Sequence, residues 1–98
     1  MTNSLANTAS TVPSPAQAAG LCRFSVRAVA DASVLSRVLE LFALRDLLPE
    51  RVHSERRPGE NGVGIDLEVR GLTVQQADHL AWRMRAFPTV TGVLLHRE

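Results

Sequence analysis

The side chains of this protein that could do chemistry are few, and their spacing argues against most of it. Cys22 is the only cysteine. It can form no internal disulfide, and no Cys or His stands at metal-ligand spacing from it. His53, His79 and His96 fall on three different predicted elements, too scattered for a ligand pair or a catalytic dyad, and are expected at the surface. Ser25, Ser36 and Ser54 have no adjacent base that would activate a hydroxyl. Arg56 and Arg57 stand beside a turn and could hold phosphate, although a solvated arginine pair is the plainer reading. The loop Ala30-Asp31-Ala32-Ser33 has no arginine aimed into a phosphate cradle. Neither catalysis nor a metal or cofactor is expected.

Composition narrows the partners. A formal net charge of +1 gives no strong attraction to nucleic acid or anionic lipid. With 45% hydrophobic residues the chain can fill one core. No uninterrupted apolar run approaches the roughly 18 residues of a membrane helix. A soluble protein is expected, and the lone cysteine points to a reducing, cytoplasmic setting.

The elements that must position these residues follow from apolar spacing. Residues 1–20 are rich in Ser, Thr, Asn, Ala and Pro, carry no charged side chain and show no periodicity, which predicts a disordered tail. The tail lacks the basic start and apolar stretch of a signal peptide. The folded domain is expected over residues 21–98. Cys22, Phe24, Val26 and Ala28 alternate with Arg23, Ser25 and Arg27, the pattern of a half-buried strand. Asp31 or Ser33 can cap a helix striped by Leu35, Val38, Leu39 and Phe42, which should end near Asp46, ahead of Leu47-Leu48-Pro49. Residues 50–57 predict a polar edge strand running into the turn Pro58-Gly59-Glu60-Asn61-Gly62. Val63, Ile65, Leu67 and Val69 then alternate cleanly. Thr73 and Gln76 have capping-box spacing ahead of a second helix, with Ala77, Leu80, Ala81 and Met84 on one face. A last strand covers residues 89–95, with either Val93 and Leu95 or Val90 and Leu94 turned to the core.

With right-handed crossovers, the order βαββαβ makes an α+β, ferredoxin-like sandwich. Its four-stranded antiparallel sheet has strands 1 and 3 in the middle, strands 2 and 4 at the edges and two helices on one face. Many activities share that topology, so side chains must discriminate. RNA binders of this topology stack bases on exposed aromatics of the central strands, where this chain has Arg23, Ser25, Arg27, Gly64, Asp66 and Glu68. Metal carriers of the fold place two cysteines after the first strand, and only Cys22 is present, at the strand's beginning. Arg23 and Arg27, across from Asp66 and Glu68, read as a solvated, charge-paired sheet face. Trp82 lies off the second helix's stripe, at a partner surface or on the core boundary. Val34, Leu41 and Leu44 widen the first helix's stripe beyond what one sheet covers, which predicts self-association.

Phe24-Ser25-Val26, then Asp31-Ala32-Ser33-Val34-Leu35-Ser36-Arg37-Val38, then Leu41-Phe42 and Arg45, together resemble the ACT domain. Within that family the pattern is similar to the regulatory (small) subunit of acetolactate synthase, over about residues 23–96 and most specifically in the first helix. The resemblance implies a module that pairs with a copy of itself, edge strand to edge strand. It also implies that an amino acid or similar small metabolite binds near Asp31, Ala32, Ser33, Val34 and Leu35, with Asp46 and Leu48 at positions belonging to the family's effector site. The module would control a catalytic subunit in branched-chain amino acid biosynthesis. Val34, Leu41, Leu44 and Trp82 are the expected dimer or partner interface. The family usually has Gly where this chain has Ser33, and Gly followed two residues later by Asn where it has Asp46 and Leu48. Two expectations therefore stand side by side: an effector-binding regulator, and a dimerising, partner-binding scaffold that has lost the pocket.

Overall fold

Strand alternation sets which side of the sheet becomes core. In the computed structural model, which describes residues 20–98, β1 (Leu21–Val29) buries Cys22, Phe24, Val26 and Ala28 and turns the residues between them outward. It is followed by α1 (Val34–Ala43), β2 (Arg51–Arg57), β3 (Gly62–Arg70), α2 (Val74–Arg85) and β4 (Val90–Arg97). The sheet order is β2-β3-β1-β4 with every neighbouring pair antiparallel. This is the ferredoxin-like βαββαβ sandwich that the element order implied. Both helices bury their stripes in one core with the inward faces of β1, β3 and β4. Phe42 of α1 meets Phe24 of β1 edge to face, with ring centroids 5.6 Å apart. Cys22 is fully buried there, and its desolvation pushes the thiol pKa up.

α2 forms as its sequence dictates. The Thr73 hydroxyl accepts the Gln76 amide at 3.0 Å, and the Gln76 side chain accepts the Thr73 amide at 2.9 Å, a complete capping box. Its predicted stripe of Ala77, Leu80, Ala81 and Met84 is fully buried.

α1 corrects one expectation. Its buried residues are Val34, Val38, Leu41 and Phe42, with Leu35 and Leu39 partly covered. Val34 and Leu41, expected at an interface, are 2% and 4% exposed and belong to the chain's own core. Both complete the stripe inside the one core that α1 shares with α2 and the sheet. The regular α-helical span runs to Ala43, and the turn that closes it reaches Asp46, near where the end was expected. Between them the chain closes a Schellman motif: Asp46 takes the left-handed conformation (φ 57°), its amide donates to Ala43 O, and the Leu47 amide donates to Phe42 O.

The open choice in the last strand is decided by a bulge. Val26 faces Val93 and Phe24 faces Leu95, so these turn inward and Leu94 is exposed. Between Arg27/Gly92 and Ala28/Val90 the register shifts, with Thr91 as the extra residue, and Val90 also packs on the core. The Thr91 hydroxyl donates to Arg27 O across the irregularity. The tail expectation for residues 1–19 lies outside the described residues. Gly20, counted in that tail, instead donates its amide to Glu98 O at 3.3 Å and continues the β1–β4 pairing. Among the described residues no helix is long and apolar enough to cross a membrane.

Candidate functional site

The loop from β1 to α1 is built around one carboxylate. Asp31 Oδ1 accepts both the amide and the hydroxyl of Ser33, each at 2.8 Å, and Asp31 O accepts the Val34 amide. This is an Asx turn, in which Asp31 and not Ser33 supplies the side-chain acceptor ahead of the helix. Ser33 occupies the N-cap position but makes no side-chain cap bond; its hydroxyl is turned back to Asp31. The Ser33 amide, then the Ser33 hydroxyl, hold the Asp31 carboxyl pKa below its ordinary value. Asp31 and Ala32 are exposed, Ser33 and Leu35 are half-buried, and Val34 is buried.

The predicted effector residues do not come together within one chain. Asp31 to Leu35 stand at the start of α1, whereas Asp46 and Leu48 stand beyond its other end, roughly 15 Å of helix away. The Leu48 side chain is almost wholly exposed. Of the predicted interface residues, Leu44 and Trp82 are exposed at 72% and 63%. They lie on different helices, and the Trp82 indole stacks on His79 of its own helix at 6.1 Å.

The open face of the sheet holds a feature the sequence reading missed. Arg23 pairs with Glu68 at 3.2 Å, as expected, but Arg27 does not face an acid: its neighbours are Gly64 on β3 and Gly92 on β4. Two glycines flanking one arginine leave a depression of about 640 Å³, bordered by Arg27, Arg57, Asp66, Thr91 and Leu94. The signal for it was glycine within two strands, where a missing side chain marks close approach or open space. Among the described residues no three Cys, His, Asp or Glu side chains gather as metal ligands.

The two sheet edges differ. On β4, the bulge and the Arg85 guanidinium, which donates to Val93 O at 2.9 Å, interrupt the margin. On β2, every residue but Arg57 is exposed, and Val52 on its helix side is 41% exposed. A family profile described as an ACT-like domain matches residues 15–98. The chain belongs to the ACT-like domain family. Domains of this family are typically regulatory or ligand-binding modules without catalysis of their own. Among solved structures, the ACT-like domain is similar to the C-terminal domain of the MgtC protein from Mycobacterium tuberculosis, solved in solution. The TM-score is 0.66 at 13% identity, covering 89% of this chain and 94% of that one, a likeness of fold. No curated protein matches the chain. Neither match names an acetolactate synthase subunit, so that part of the resemblance rests on the first helix alone.

Proposed function

We propose that this ACT-like domain is a non-catalytic regulatory scaffold that works as a homodimer joined along β2. The carrying observation is the contrast between the edges: β2 offers a straight strand exposed on both faces, while β4 is bulged and guarded by Arg85. Pairing along β2 about a two-fold axis would make one eight-stranded sheet with all helices on one side. The α1 exit, with exposed Leu44 and Leu48, leads straight into β2 and would border that seam. Trp82 on α2 stays clear of it and is available to a partner protein. The start of α1 supports the scaffold form, because the Asp31 carboxylate already takes the Ser33 amide that an effector carboxylate would use. Sedimentation equilibrium tests the pairing: a dimer is expected, and a particle that stays monomeric at high concentration overturns the proposal.

A second reading keeps the effector: an amino acid or similar metabolite binds at the seam and controls a partner enzyme of the acetolactate synthase kind. It is favoured by the first turn of α1, which carries no acidic residue and leaves the positive end of the helix to Asp31 alone. A thermal-shift screen against the proteinogenic amino acids separates the two. A ligand at a hundred times its Kd stabilises by about 2.7 kcal/mol. A clear shift for one amino acid establishes the effector reading, and a flat screen with the dimer present retains the scaffold.

A further inference from the structure

The strand that forms the proposed seam is also a charge palindrome. Read outward from His53, the residues are Val52 and Ser54, then Arg51 and Glu55, then Glu50 and Arg56. Each basic residue has an acidic counterpart at the same distance on the other side. The open sheet face receives Arg51, His53 and Glu55, which lie opposite Glu68, Asp66 and Gly64 of β3. Val52, Ser54 and Arg56 lie opposite Leu67, Ile65 and Val63 and so share the helix side.

Within the chain these charges are nearly idle. Glu68, the neighbour of Arg51, is taken by Arg23, and Glu55 is in ion-pair range of His53 alone. Glu50, Arg51 and Arg56 make no ion pair among the described residues, and residues 1–19 contain no charged side chain.

We propose that two copies pair antiparallel along β2 with His53 on the two-fold axis, so that Arg51 faces the partner's Glu55 and Glu50 faces the partner's Arg56. This rests on the edge pairing proposed above and specifies its register. A two-fold axis perpendicular to the sheet keeps like faces together, so the axis must pass through a residue, and a shift of one residue in its place re-pairs every side chain. Centred on Ser54, His53 meets the partner's Glu55 but Arg51 meets the partner's Arg57. Centred on Val52, Arg51 meets the partner's His53 and no opposite charges face. Centred on Glu55, the two glutamates meet. Centred on Arg56, Glu55 meets the partner's Arg57 but the two copies of Arg56 meet each other. The His53 register alone sets arginine against glutamate with no arginine or glutamate facing its like, and symmetry makes each pair twice. Like charges directly opposite in a sheet oppose pairing, so the other registers are disfavoured by the same side chains.

Two measurements test the register. A cysteine placed at the axis faces its own copy about 4.5–5.5 Å away between Cα atoms, within disulfide reach. H53C should therefore cross-link under mild oxidation, while V52C and S54C should not; Cys22 is buried with a raised thiol pKa and stays out of the reaction. R51E and E55R should each weaken the dimer by about tenfold or more, and an equimolar mixture of the two should restore it as a heterodimer. A wild-type monomer overturns the edge pairing itself. A wild-type dimer that S54C or V52C cross-links in place of H53C, or that ignores both charge reversals, overturns the register and leaves the edge pairing standing.

Discussion

Single residues record how this chain departs from a generic member of its family. Asp46, at a position where the resemblance to the family implies glycine, holds the left-handed backbone (φ 57°) that glycine would adopt freely. The substitution thus costs strain without changing the turn, and D46G should raise stability by about 0.5–1 kcal/mol, read as a rise of a few degrees in Tm. An unchanged or lowered Tm would contradict this account of the turn. Asp31 makes a prediction in pH. Its folded pKa lies below its ordinary value of 3.8. The contribution of the Asx turn is therefore present above that ordinary value and is lost as pH falls through the lower folded value. Carbon-13 NMR of the Asp31 carboxyl should show its midpoint below 3.8, and S33A should move it only part of the way back, because the amide donor remains. A midpoint unmoved in S33A would mean the hydroxyl contributes nothing.

At the scale of elements, the two helices were unequally legible. α2 announces itself with a cap and a stripe, and both are present in the structure. Removing the cap with T73A should cost about 1 kcal/mol, seen as a lower denaturant midpoint with unchanged slope. α1 is a helix, as its apolar spacing predicts, and it closes at a left-handed Asp46, but Val34 and Leu41 belong to the core and not to an interface. The end is set by hydrogen bonds of Asp46 and Leu47 back to Ala43 and Phe42, which apolar periodicity does not report. The interface was misjudged at Val34 and Leu41 because a stripe wider than one sheet can be covered either by a second helix of the same chain or by another molecule. Spacing alone cannot distinguish them, and here the chain's own core buries both residues. β2 is the reverse case: its lack of an apolar face correctly marked an edge strand.

The whole molecule carries the functional proposal, because an edge becomes an interface only in relation to the rest of the sheet. If the domain works as a β2-paired dimer, folding and association are linked, and Tm should rise with protein concentration; a Tm independent of concentration speaks for a monomer. W82S, on α2 and away from the seam, should leave that dependence intact. The element order, the central strands, the second helix and most of the core were determined by the sequence itself. These follow from local periodicity and capping, in which each residue's partner lies within a few positions along the chain. Tertiary structure alone decided the β4 register through its bulge, the burial of Val34 and Leu41, and the separation of Asp31 from Asp46 by the length of α1. It also decided the placing of Arg27 between two glycines. Each of these depends on which distant segments become neighbours, a relation that spacing along one chain does not encode.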